Sequence, residues 1–267
     1  MPTQLSEADL DPMRPVRIDA FRVLIWLSGI ASLLIALHLA GLSLRHVGDD
    51  HALVRIARKF HLNNENSLPT FYSGVLLLSC GVLLNLIAMH QRRTGGRQSR
   101  HWTVLGFIFF YLACDETSGL HEMMNKPAVS LLHPSGIFHF AWVIPGIVIV
   151  ILLGLAYLRF LIGLPPETRR RFILAACLYV GGAIGVEMIG ARHIESVGDD
   201  LAYGYIVALE EAMEMFGAIT FIYALLKYLQ LHFPQMTLQF GAPAERVSSA
   251  ASTPQCEANR PAVVDAT

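Results

Sequence analysis

Apolar positions run through this chain in long blocks, without the strict alternation of half-buried strands. Six such blocks occur, at roughly 23–43, 68–89, 102–122, 137–161, 172–191 and 203–229. An apolar run of about 20 residues is long enough to cross a bilayer as a helix. The pattern therefore predicts an all-α, polytopic membrane bundle of six transmembrane helices. The first, second and fourth blocks are cleanly apolar, whereas acids interrupt the third, fifth and sixth. The polar stretches give a segment at 1–20, a membrane domain at 21–230 and a tail at 231–267. The tail is rich in Ala, Ser, Pro and Glu and is expected to be disordered. No small-residue cleavage pattern follows the first block, so it reads as a retained span.

Composition agrees. Of 267 residues, 54% are hydrophobic and 15% charged, with a mean hydropathy of +0.47. Soluble domains carry nearer a quarter charged residues. The net charge of −1 comes with no basic patch, so nucleic acid is not expected as a partner. Cys80, Cys114, Cys177 and Cys256 show no spacing that indicates a disulfide framework or a zinc ribbon.

Short loops rich in Lys and Arg stay on the cytoplasmic side. Arg14, Arg17 and Arg22 precede the first span, QRRTGGRQSR fills 91–100, Arg169–Arg171 follow the fourth span and Lys227 ends the sixth. These alternate as six helices with both termini inside require, in a bacterial cytoplasmic membrane. The basic 44–67 loop is the exception. Its Leu53, Ile56, Ala57 and Phe60 recur at helical spacing, which predicts a helix lying in the interface between spans 1 and 2. Ser67 with Pro69 marks the start of the second span, and Pro165-Pro166 stops the fourth. Gly181-x-x-x-Gly185 reads as a face for close helix packing. Trp26, Trp102 and Trp142 read as interface anchors.

Against this apolar background the acids are conspicuous. On a common depth scale, Asp115, Glu116, Glu210 and Glu211 fall about 10 Å below the outer boundary, Glu187 falls about 8 Å below it, and Glu214 falls near the midplane. His38 shares their depth, while His121, Glu122 and His139 sit closer to the surface, with Glu65, Asn66 and His193. Ionisable groups at such depth are costly and face the bundle interior, where they mark functional sites. His38 is the single candidate cation among six carboxyls, with Arg192 near the outer interface. The acids must therefore be protonated, hydrated or bound to a cation.

Carboxylates with a few histidines suit Mn, Fe or Zn. The expectation is an outward-facing divalent-metal site built from Asp115, Glu116, Glu187, Glu210, Glu211 and Glu214, with His38, His121, Glu122 or His139 assisting. The Glu-x-x-His spacing of di-metal bundles is missing from the spans. An enzyme on this plan would use the metal to activate water or oxygen, on a lipid-like substrate reached from the bilayer. A proton- or cation-coupled transporter is the alternative, and a structural network of protonated acids is the third reading.

The motifs NENSLPTFYSG, ACDETSGLHE, GGAIGVEMIG and ALEEAMEMFG, spread over about 20–230, resemble a family of uncharacterised bacterial multi-spanning proteins. Glu65-Asn66, Ser73 and Asp115 also give a fainter likeness to ceramidase-like membrane hydrolases. That likeness would imply an outward-facing zinc site. Those enzymes have seven spans and a late His-x-x-x-His pair, which this chain lacks.

Overall fold

Two helix starts in this protein are closed by side-chain caps. In the computed structural model, Ser67 is extended and its Oγ accepts the Thr70 N–H at 3.2 Å, with Pro69 in the first turn. That opens helix α2, Leu68–Arg93. Asp200 does the same for the last helix, accepting the Tyr203 N–H at 2.8 Å. Proline at the start of a helix costs no hydrogen bond, and Pro166 opens α5 on that basis.

The structure describes residues 19–45, 59–62, 64, 67–121, 123 and 134–233, all within one unit, Met1–Gln235. The described elements are α1 (Ala20–Arg45), α2, α3 (Ser99–Ser118), a short 3₁₀ turn (Gly136–Phe138), α4 (Val143–Ile162), α5 (Pro166–Val180), a π-helical turn (Gly181–Val186), α6 (Glu187–Ser196) and α7 (Leu201–His232). Among the described residues there is no strand. The expected interfacial helix, Glu65, Asn66, Glu122, the first 18 residues and the tail from 234 lie outside the described residues, in whole or in large part.

Helix α7 is the axis. It packs against α1, α2, α5, the π turn and α6, while α2 packs most extensively on α3. The core is apolar and aromatic: Leu76, Leu77, Leu84, Ile87, Met215, Ile219 and Leu225 are buried around Trp102. Phe160, Phe172 and Tyr228 surround that indole with ring centroids 5.0–6.1 Å away. Small residues let the backbones approach. A Cβ on Gly217 would stand 2.6 Å from the Tyr179 nitrogen, and one on Gly182 would stand 2.8 Å from the Glu210 carbonyl oxygen.

Large apolar side chains cover the outside of the bundle, among them Trp26, Leu152, Leu155 and Ile162. Five stretches are long and apolar enough to cross a membrane: Ala20–Ser43, Leu68–Arg93, Val143–Ile162, Pro166–Ser196 and Leu201–His232. This makes the protein a multi-pass helical membrane protein by length and composition. Six spans were expected. The sixth, α3, is 20 residues long but carries Arg100, His101, Asp115 and Glu116, which lower its hydropathy. The acids that point to a site are thus among the residues that take α3 out of the apolar set.

Two further expectations change. The span expected at 172–191 is a longer rod, Pro166–Ser196, with a π turn in its middle. Within it Gly181 and Gly182 face α7, whereas a Cβ on Gly185 would meet nothing within 4 Å. The packing glycines are therefore adjacent, and Gly181-x-x-x-Gly185 is not the contact face. Trp102, expected as an interface anchor, is completely buried in the core.

Candidate functional site

The last turn of α3 builds the first wall. Gly119 adopts a left-handed conformation, φ 55°, and its N–H donates to the Asp115 carbonyl. A Cβ would oppose that conformation, so the sequence Thr-Ser-Gly ends the helix here. The chain then doubles back and brings His121 over Asp115. The His121 N–H donates to Asp115 Oδ1 at 2.8 Å, and the ring Nδ1 lies 3.0 Å from Oδ2. These two contacts hold the orientation of the imidazole. That arrangement recurs behind catalytic and metal-bound histidines.

The π turn builds the second wall. Its wider turn keeps Tyr179, Ala183 and Glu187, each four residues apart, along the cavity. Glu187 Oε1 accepts from the Trp142 indole at 3.4 Å. Glu210 of α7 lines the same wall. Helix α7 completes the site with Glu210, Glu211 and Glu214, on one face by their i+3 and i+4 spacing.

These walls enclose a cavity of about 510 Å³. Asp115, Glu116, Glu187, Glu210, Glu211, Glu214 and His121 all line it. The six acids are partly exposed because they face this cavity. Tyr111, Phe140, Trp142, Tyr179 and Tyr203 add aromatic surface, and Leu112, Ile149 and Val150 add an apolar side. The volume falls in the range of small-molecule sites. Among the described residues that line it there is no Lys or Arg. Arg192 is exposed and is not part of the wall.

Two of the histidines expected to assist lie elsewhere. His38 is 1% exposed and accepts the Leu62 N–H on its Nδ1 at 3.2 Å; its Nε2 lies 3.5 Å from the Gly204 carbonyl. It ties α1 to the 59–62 segment and α7. His139 sits by the 3₁₀ turn, half-exposed, with Nδ1 4.0 Å from Glu195. Neither lines the cavity. Tyr179, missed in the sequence, lies in the wall beside Glu214, and its spacing of eight from Glu187 was its one signal.

Gly182 stands against Glu210, and Gly74 near the start of α2 stands against Thr117 at the end of α3. The acids therefore cluster at the level where α2 begins and α3 ends. Leu201 lies nine residues before Glu210, so α7 runs on for about 14 Å beyond that level. Asp200 at its tip is bonded to His193 at 2.7 Å. Among the described residues, no three His, Cys, Asp or Glu side chains stand close enough to hold a metal ion as they are placed.

The apolar bundle and its acidic cavity define a multi-pass helical membrane protein with a polar internal site. A family model described as "Domain of unknown function (DUF8692)" matches residues 27–229. That is well over half the chain, which therefore belongs to this family. No curated protein and no solved structure matches it. The likeness to ceramidase-like hydrolases gains no support from these comparisons.

Proposed function

We propose that this protein binds a divalent cation in the cavity and uses it on a second, lipid-like molecule held in the same space. The observation that carries the reading is the lining itself: among the described residues it has six carboxyls and one histidine with no Lys or Arg. A divalent ion such as Mn, Fe or Zn offsets more of the charge that six carboxyls can carry than a monovalent ion does.

The ligands assigned are Glu116, Glu211 and Glu214, drawn inward by the ion. Asp115 holds His121 at the rim. A cavity of about 510 Å³ is much larger than an ion needs, and its apolar side supports a role for the remaining space in holding substrate. The chemistry assigned is activation of water or oxygen by the bound ion. His121, oriented by Asp115, is positioned to move the proton.

In this reading α3 crosses the membrane as a sixth span. Both termini lie on the cytoplasmic side of a bacterial inner membrane, and the cavity faces outward. The arginine-rich 91–100 and 169–171 segments support this orientation. A second reading, cation- or proton-coupled transport, is favoured by the same lining, because carboxyls at membrane depth serve proton relays and cation routes. Metal analysis of the purified protein beside a Glu211→Gln, Glu214→Gln double variant separates the two. Bound divalent metal that the variant loses supports the first; proton uptake without metal supports the second.

A further inference from the structure

The cavity touches the outside of the bundle along one particular seam. Helices α3 and α4 meet at the end where α3 begins. There the Tyr157 hydroxyl donates to the His101 carbonyl at 3.0 Å, and Phe160 packs on Trp102 with centroids 5.0 Å apart. The same two helices are bridged again at the other end, where the His121 and Trp142 rings lie 4.9 Å apart. Between these closures stand Tyr111 of α3 and Ile149 of α4. Both line the cavity, and both are largely exposed, at 55% and 60%. A residue that is at once cavity wall and outer surface marks an opening.

The opening has a definite height. Tyr111 lies seven residues before the end of α3, and Ile149 lies six residues after the start of α4. Each is about 10 Å inside its helix end along the axis. Around them the outer surface is apolar: Phe107, Val148, Ile151 and Leu152 are all exposed. An opening at that height in such a surface faces lipid tails, not water. One turn along α3 from Tyr111 stands Asp115 with its bound His121, on the same face of the helix.

The geometry points to a lateral window between α3 and α4 through which one acyl chain of a membrane lipid lies. The tail passes Tyr111 and Ile149, and the head group meets the Asp115–His121 pair. The apolar residues just inside, Leu112 and Val150, receive the first part of the chain. This rests on the proposal that the cavity is the site of a membrane-embedded protein, and it assigns the route and class of the substrate. It also accounts for why the polar pair sits at the rim while the three assigned cation ligands lie deeper.

The test uses the full chain in phosphatidylcholine vesicles doped with phosphatidylethanolamine that carries a diazirine on its acyl chain. After illumination, labelled peptides are mapped by mass spectrometry. Leu155, 66% exposed on the outer face of α4, reports ordinary lipid contact. The window predicts that Leu112 and Val150 are labelled along with Leu155. Ile149→Trp or Tyr111→Trp, either of which fills the opening, lowers labelling at Leu112 and Val150 about tenfold relative to Leu155, which corresponds to about 1.4 kcal/mol of lost occupancy. Labelling of Leu155 without Leu112 and Val150, or a ratio that neither variant moves, overturns the window. Metal content is measured on the same samples. Window labelling in a protein that takes up no metal would sink the cation reading and leave the window standing; bound metal without window labelling would do the reverse.

Discussion

Replacing Gly217 with alanine tests the packing that sets the floor of the site. A Cβ there would lie 2.6 Å from the Tyr179 nitrogen and 2.9 Å from its Cα and Cβ. Ordinary carbon contacts begin near 3.5 Å, so α5 and α7 must part by about 1 Å. The obstructing atoms are backbone and the first side-chain carbon, which cannot swing aside. Overpacking of this kind costs about 3 kcal/mol at the upper end of its usual range. Alanine returns about 1 kcal/mol through its better helix propensity. The net loss of about 2 kcal/mol corresponds to a fall in Tm of about 4–8 °C for a chain of this size. Gly185→Ala is the matched control, because its Cβ would meet nothing within 4 Å. That variant gains the propensity term alone, about 1 kcal/mol, and its Tm rises by about 2–4 °C. Thermal unfolding of both proteins in the same detergent, followed by circular dichroism, measures the difference. Equal Tm values, or a larger fall for Gly185→Ala, would refute the assigned contact between α5 and α7.

Three further outcomes are expected. Ser67→Ala removes the hydroxyl that caps α2 and lowers stability by about 1 kcal/mol, read from the same thermal scans, whereas Ser67→Asp keeps most of it. Asp200 is held below the usual carboxylate range, first by the Tyr203 N–H and then by its bond to His193. A depressed folded-state value means that its contribution is present above about pH 4 and is lost as pH falls through the folded value. Asp200→Ala should therefore lower Tm at pH 7 and converge with the parent protein as the pH falls below that range; a gap that persists at low pH would contradict the assignment. Asp115→Asn leaves the side chain its shape but replaces one acceptor oxygen with a donor, and should change the His121 ring environment by nitrogen NMR while lowering divalent-metal affinity, by isothermal titration, far less than Glu211→Gln does.

The membrane blocks were legible because hydropathy over 20 residues is a coarse and robust signal. Five of the six expected runs, and the carboxyls of Glu187, Glu210, Glu211 and Glu214, fall on helices of the apolar set. Helix α3 departed from that set because a window average cannot separate a helix end rich in acids from a helix outside the membrane. The convergence of six carboxyls followed from one physical rule, that acids avoid lipid and turn inward. His38 and His139 were harder. Depth alone placed them near the acids, but which face a histidine presents depends on backbone groups far along the chain, such as Gly204 for His38. The π turn left only GGAIG as a trace, and two adjacent glycines do not announce a changed helical pitch. The Asp115–His121 pair needed the left-handed Gly119 to reverse the chain, a turn that the sequence allows but does not require.

The most direct test of the central claim is elemental mass spectrometry of the protein purified in mild detergent, after loading with Mn, Fe or Zn, beside the Glu211→Gln, Glu214→Gln double variant. The account predicts close to one divalent ion per chain in the parent protein and its loss in the variant, with Tm showing that both are folded. A folded parent protein that retains no metal after loading, or a variant that binds as much as the parent, would contradict it.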